Sequence, residues 1–196
     1  MSAHKASLRA HYQALRSSLD RSARSALDRR IAQHVLDCCS GETFDRIAAF
    51  LAFRGEPDLT HALQSFHRRG HRIYVPVIGE HEMQFMAWTP DSTFALNRFG
   101  IAEPVEGEIC SAQQLDRVLM PLLAFDADGR RLGMGGGYYD RCFAFKREMK
   151  TSAPRMTGIA YSIQQHEESA GLPDDPWDVP LDEVITEQGL VRFIQP

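Results

Sequence analysis

The sequence predicts an α/β fold built on a parallel sheet, and three observations carry that expectation. Arg46–Phe53, a helical stretch over Leu59–Arg69 and Arg72–Val77 follow one another as strand, helix and strand, the order that favours parallel neighbours. Arg117–Phe125, the most apolar strand candidate, runs into a glycine-rich loop and then a helix. The chain has 196 residues, 43% hydrophobic and 24% charged, enough to bury a core without disulfide or metal staples.

The first forty residues read as two helices. Leu8, Tyr12 and Leu15 recur at helical spacing, and Leu27, Ile31, Val35 and Cys38 mark a second stripe with Asp20 as its cap. Arg46–Phe53 is a short apolar run between turn residues, hence a buried strand, and Gly70 stops the helix that follows it. Met83–Trp88 reads as a further strand and hairpin partner. Asp91–Gly107 mixes Pro, Gly and polar residues and reads as loop with a short helix. Asp126–Gly137 holds five glycines and opens a helix over Tyr138–Lys150. Met156–Tyr161 and Glu183–Thr186 supply the last core strands, with the loop Leu172–Pro180 between them. No repeat or linker divides the chain, so residues 1–196 are expected to form one domain.

Several classes are excluded by composition. The longest apolar runs, Ile47–Phe53 and Val118–Phe125, fall far below the ~18 residues of a membrane span. No apolar stretch follows His4, Lys5 and Arg9, which argues against a signal peptide. Cys38, Cys39, Cys110 and Cys142 lack CxxC spacing and read as reduced thiols of a cytoplasmic protein. Within the net charge of −4, residues 1–30 carry +5 and the remainder −9. The basic start has no interleaved aromatics and reads as a solvated helical face rather than a nucleic-acid surface.

The strongest local signal is Phe125-Asp-Ala-Asp-Gly-Arg-Arg-Leu-Gly-Met-Gly-Gly-Gly-Tyr-Tyr-Asp-Arg141. Glycines let backbone N–H groups approach an anion, and a following helix N-terminus adds partial positive charge. The spacing of Gly133, Gly135, Gly136 and Gly137 fits neither the dinucleotide fingerprint nor a GK[ST] loop. It reads as a phosphate loop of another kind, the alternative being a structural turn with tight helix–strand packing, for which four glycines within Gly133–Gly137 would be costly. Asp140 follows it directly, and is either a Mg²⁺ ligand beside bound phosphates or a first-turn aspartate. Tyr138 and Tyr139 are either core or a stacking surface. Lys5 and Arg9 share one helical face and are either a polyphosphate clamp or two solvated charges. Glu56 lies just past the first strand, where open α/β sheets bind ligands, although a turn glutamate is as ordinary. No HExxH, GxSxG or Cys–His pattern is present, so no covalent nucleophile is indicated.

Taken in order, Lys5-Ala-Ser-Leu-Arg9, Phe50-Leu51 with Glu56, Phe99-Gly-Ile-Ala-Glu-Pro104, Arg131-Leu-Gly-Met-Gly-Gly-Gly-Tyr-Tyr-Asp-Arg141 and Trp177-Asp-Val-Pro-Leu181 resemble the 5-formyltetrahydrofolate cyclo-ligase family. The resemblance implies a three-layer α/β domain with a mostly parallel sheet between helices, similar to sugar-phosphate isomerases and CoA transferases. It implies ATP- and Mg²⁺-dependent closure of 5-formyltetrahydrofolate to 5,10-methenyltetrahydrofolate, with release of ADP and phosphate. In that scheme the formyl oxygen attacks the γ-phosphate, and the 10-nitrogen then displaces phosphate.

Carried over by residue, the resemblance implies that Lys5, Arg9, Arg131, Leu132, Gly133, Met134, Gly135, Gly136, Gly137, Tyr138 and Tyr139 bind ATP. Asp140 and Asp178 would hold Mg²⁺, and Leu51, Glu56, Phe99 and Tyr138 would bind the folate. The expected partners are these small molecules, with no nucleic acid or membrane, for a cytoplasmic monomer. Three positions depart from the family pattern: Met134, Gly136 and Val77 stand where many or some members are basic, a loss of charge that either weakens ATP binding or shifts the phosphate burden onto Lys5, Arg9 and Arg131. The alternative is a non-catalytic folate- or nucleotide-binding regulator of the same fold. Retention of both Lys5 and Arg9 with Glu56, Asp140 and Asp178 argues against it.

Overall fold

The computed structural model describes residues 3–39, 45–79, 82–149 and 153–194. Helices α1 (Ala3–Ser17) and α2 (Arg21–Cys38) come first, and Asp20 caps α2 by accepting the Ala23 N–H at 2.8 Å. Then follow β1 (Arg46–Ala48), α3 (Thr60–Arg68), β2 (Arg72–Ile78), β3 (Met83–Trp88), β4 (Phe94–Leu96), β5 (Ala102–Pro104) and β6 (Ile109–Cys110). The second half holds β7 (Arg117–Pro121), β8 (Ala124–Phe125), β9 (Arg131–Leu132), α4 (Tyr138–Cys142), α5 (Ala144–Met149), β10 (Arg155–Ile159), β11 (Glu183–Thr186) and β12 (Gly189–Arg192).

Eight strands form one sheet in the order β12-β11-β10-β7-β1-β2-β3-β6. Its five central strands, β11 to β2, are parallel, and antiparallel strands close both edges. The fold is therefore the expected mixed α/β architecture with a mostly parallel sheet. Alternate residues of each strand face opposite layers, as the period of two requires. Ile47, Ile73, Val75, Leu119, Ile159 and Ile185 pack with α2 and α3, through Ile31, Val35, Leu63 and Phe66. Ala48, Tyr74, Val118, Met120, Met156 and Val184 face the other way, toward Phe143 and the aromatic residues of α4 and α5. Helix α1 joins neither layer. Its Leu8, Tyr12 and Leu15 cover Leu123, Ala124, Leu132 and Leu172.

Several segments differ from the sequence reading. The strand expected over Arg46–Phe53 is confined to Arg46–Ala48, and residues 49–53 form no strand and lead toward α3. Arg117–Phe125 is not one strand. Pro121 ends the ladder because it has no N–H to donate, and Ala124–Phe125 turns away to pair antiparallel with Arg131–Leu132. That pairing also removes Asp126–Leu132 from the expected loop. Asp126 accepts N–H groups of Asp128, Arg130 and Leu172 and tightens the turn, so only Gly133–Gly137 stays open. The expected helix over Tyr138–Lys150 breaks at Phe143, whose fully buried ring packs on Phe85 with centroids 5.8 Å apart; Lys150 lies outside the described residues. Asp91–Gly107 holds a hairpin, β4 with β5, where a short helix was expected. Asn97 shapes its turn by accepting the Phe99 and Ile101 N–H groups.

Candidate functional site

The carboxyl ends of β1, β2 and β7 open into a cleft of about 1130 Å³, the place where parallel α/β sheets receive ligands. Every site residue expected from the sequence lines it: Lys5, Arg9, Leu51, Glu56, Phe99, the whole run Arg131–Asp140, and Asp178. Of the three departures, Met134 and Gly136 line the cleft, whereas Val77 sits in β2 opposite Gln84, outside the described lining.

One end is ionic. Helix α1 presents Lys5 and Arg9 along its inner face. The Lys5 Nζ donates to Asp175 Oδ2 at 2.7 Å and to Asp178 Oδ2 at 2.8 Å. Burial pulls the Lys5 ammonium down, but the hydrogen bonds to Asp175 and Asp178 outweigh it, so its pKa lies above the usual lysine value. Arg9 Nε donates to the Gly133 carbonyl at 2.9 Å and anchors the start of the glycine loop. Arg131 donates to Asp140 Oδ1, which also accepts the Val179 N–H at 3.2 Å. The residue after Asp178 thus bonds Asp140, which sets the two aspartates on adjoining walls. The Nε of Arg131 is buried without a partner. Gly135 and Gly137 hold φ of 94° and 65°, the left-handed region open to glycine. Helix α4 has only five residues. Its dipole is correspondingly weak, so the surrounding cations, rather than a helix N-terminus, make this end attractive to anions.

The other end is apolar around one carboxylate. Glu56 is held by the Phe53 N–H at 3.0 Å and lies 3.9 Å from Arg16, which is itself fully buried. Burial pushes the Glu56 carboxyl up to about 7, against the opposing pull of Arg16 and the Phe53 N–H. Burial also raises the Tyr139 hydroxyl, with the Glu56 charge as the next contribution. Phe99 meets the Tyr138 ring edge-on at 6.1 Å, so the β4–β5 hairpin and α4 touch across the mouth.

Sequence reasoning missed Arg16 and Asp175. Arg16 continues the spacing Lys5, Arg9, Tyr12 along one face of α1, a signal present in the sequence but masked by the apolar stripe that overlaps it. Asp175 has no such signal: its place is set by donating its N–H to Asp178 Oδ2 at 3.0 Å within an irregular loop.

Two carboxylates among cations suit a divalent metal held mainly by phosphate and water. Among the described residues no three His, Cys, Asp or Glu side chains form a metal-holding group, so an all-protein cage is not what this cleft offers. Among the described residues no helix is long and apolar enough to cross a membrane.

A model of the 5-formyltetrahydrofolate cyclo-ligase family matches residues 1–187. The chain is 32% identical over 183 residues to the 5-formyltetrahydrofolate cyclo-ligase of Haemophilus influenzae, spanning 91% of this chain and 95% of that one. It is 37% identical over 145 residues to the Escherichia coli K12 protein of the same name, spanning 71% and 76%. Two solved structures share the fold: the 5,10-methenyltetrahydrofolate synthetases of Aquifex aeolicus (TM-score 0.77, 30% identity, 98% and 94% covered) and Mycoplasma pneumoniae (0.75, 27%, 93% and 98%).

Proposed function

The chain belongs to the 5-formyltetrahydrofolate cyclo-ligase family, and from that membership we propose that it closes 5-formyltetrahydrofolate to 5,10-methenyltetrahydrofolate at the expense of ATP. The observation that carries this reading is the pairing of an ionic end, Lys5, Arg9, Arg131, Asp140 and Asp178, with an apolar end around Glu56 in one cleft. ATP lies with its phosphates along Gly133–Gly137, and the folate lies between Leu51, Phe99 and Tyr138 with its pterin at Glu56. The formyl oxygen attacks the γ-phosphorus as the bond to ADP breaks. The 10-nitrogen then bonds to the formyl carbon and releases its proton to solvent, and the carbon–oxygen bond breaks with phosphate as leaving group. Phosphorylation is needed because an amide oxygen leaves poorly; the protein's part is positioning and charge neutralisation.

Asp140 and Asp178 would hold Mg²⁺, which neutralises phosphate charge when bound. Each is held here by a cation assigned to phosphate, Arg131 for Asp140 and Lys5 for Asp178. Nucleotide binding therefore exchanges partners: cations turn to phosphate and carboxylates to the metal. The test is the absorbance of the methenyl product with purified full chain. A rise that requires folate, ATP and Mg²⁺ together is expected; a flat trace with both ligands bound by calorimetry would favour the non-catalytic regulator.

Glu56 sets a pH dependence. A pterin offers N–H groups, which bond the ionised carboxylate, and that form is half populated near pH 7 and falls about tenfold per unit below it. The KM for 5-formyltetrahydrofolate is therefore expected to rise as pH falls below 7, and Glu56→Gln to show a flat, high KM. A parent profile flat from pH 6 to 8 would remove Glu56 from pterin binding. In the free protein the sign is the reverse. The raised pKa contributes stability that is full below the usual 4.5 and is lost as pH rises to about 7, because the unfolded chain releases this proton first.

A further inference from the structure

Glu56 sits in a tight turn that follows β1, with Arg54 at a φ of 48° and Gly55 at 81°. The left-handed region suits glycine but is strained for an arginine, so this turn has to be held from outside. Arg16 of α1 holds it. Its side chain is only 1% exposed, and its two terminal nitrogens reach different strand exits. Nη2 donates to the Arg54 carbonyl beyond β1 at 3.1 Å, and Nη1 to the Leu122 carbonyl beyond β7 at 3.3 Å. β1 and β7 are neighbours in the sheet, so one guanidinium ties both exits together at the cleft wall. Nη1 also lies 3.9 Å from Glu56 Oε1, too far for a hydrogen bond, while Oε2 accepts the Phe53 N–H at 3.0 Å. Among the described residues Oε1 therefore has no donor, and it is the oxygen left for a ligand.

The other charged groups near this pair do not replace it. Arg24 of α2 packs beneath the turn, where a β-carbon on Gly55 would lie 3.2 Å from its Nη2, and it faces Asp28. Arg54 turns its own guanidinium onto the Phe53 ring, 4.9 Å away. Tyr161, beyond β10, approaches Arg16, and Tyr139 of α4 approaches Glu56. Burial raises both hydroxyls, so they are neutral near pH 7. Glu56 is the one carboxylate within 4.0 Å of Arg16 among the described residues.

We propose that Arg16 is a positioning residue for the folate: it fixes the turn that aims Glu56 at the pterin and supplies the buried positive charge opposite that carboxylate. The inference rests on the assignment of Glu56 to the pterin. A carboxylate in an apolar pocket takes up a proton unless a cation or hydrogen-bond donors stand beside it. Glu56 has one backbone donor and one cation, and without the cation burial would carry its carboxyl still further above about 7. Lysine cannot substitute fully, because only the planar guanidinium fork presents two nitrogens to two carbonyls at once.

The test follows the full chain, its Arg16→Gln and its Arg16→Lys from pH 6 to 9. It reads the calorimetric Kd for 5-formyltetrahydrofolate without ATP, and the KM for each substrate. In Arg16→Gln the pH at which folate affinity falls should move up by about one pH unit, as for loss of one nearby opposite charge. That shift alone weakens folate binding about fivefold at pH 7 and hardly at all at pH 9. Arg16→Lys keeps the charge and loses the fork. It should keep the parent's pH profile and bind folate about threefold more weakly at every pH, as for one lost hydrogen bond. The KM for ATP should hold in both. Folate profiles of parent and Arg16→Gln that superimpose would overturn the proposal. So would a KM for ATP that rises with that for folate, since Arg16 would then act only by seating α1 with Lys5 and Arg9. If Arg16→Gln does not fold, Arg16→Lys carries the test, and a parent-like Kd for folate in it would overturn the clamp. A parent whose folate affinity ignores pH would remove the premise and the inference with it. A parent with the expected profile, displaced in Arg16→Gln, that forms no methenyl product would sustain the positioning role and overturn the proposed activity.

Discussion

Asp140→Asn is expected to lower turnover by on the order of 100-fold or more, with a raised requirement for Mg²⁺. The substitution is nearly isosteric. An asparagine Oδ1 still accepts from Val179 and Arg131, so the local backbone keeps its hydrogen bonds. What disappears is one negative charge beside a largely buried guanidinium. If Asp140 binds the metal, the half-saturating Mg²⁺ concentration rises steeply and excess Mg²⁺ restores part of the rate. If its work is only to hold Arg131, the Mg²⁺ curve stays where it is and the KM for ATP alone increases. Unchanged turnover and an unchanged Mg²⁺ curve would remove Asp140 from the site altogether. Thermal unfolding is the control, since loss of one ion-pair partner costs some stability wherever the metal goes.

The same ion pairs explain how a cleft rich in charge stays folded without its ligands. Lys5 is bracketed by Asp175 and Asp178, and Arg131 by Asp140, so the free protein presents neutralised pairs rather than bare like charges. These pairs were only half legible in the sequence. Lys5 and Arg9 share a helical face, and the Gly133–Gly137 loop declares itself, because both depend on local spacing. The strand–helix–strand order at β1, α3 and β2 was legible for the same reason. Asp175 and the break at Phe143 were not. One depends on α1 crossing to a loop 170 residues away, the other on a ring finding Phe85 in a distant strand. The strand break after Pro121 lies between these cases. Proline marked the place, but only the pairing of Ala124–Phe125 with Arg131–Leu132 shows why the chain leaves the sheet there.

The largest stability effect is expected at the opposite end of the sheet. Arg117 and Glu183 open β7 and β11, and each side chain is only 1% exposed. Arg117 donates to Glu183 Oε1 and, at 2.9 Å, to the Thr157 hydroxyl, which itself donates to that carboxylate at 2.8 Å. Arg192 and Arg155 approach the second carboxylate oxygen at 3.5 and 4.0 Å from the exposed side. Removing the buried partner leaves a desolvated carboxylate facing two weaker, solvent-screened cations. Arg117→Met is therefore expected to cost about 3–5 kcal/mol, a fall of roughly 10 °C in Tm for a chain of this size. Replacing both members, Arg117→Met with Glu183→Leu, should recover much of that loss, because the penalty lies in the orphaned charge more than in the pair itself. A single variant that melts within a degree of the parent would show that Arg192 and Arg155 suffice for Glu183. A double variant no better than the single would mean instead that the Arg117–Thr157–Glu183 network stabilises the sheet through its geometry. Because Arg117 opens β7, whose opposite, carboxyl end opens into the cleft, the variants separate stability from catalysis. The KM values for folate and ATP of the folded single variant, measured well below its Tm, should match those of the parent.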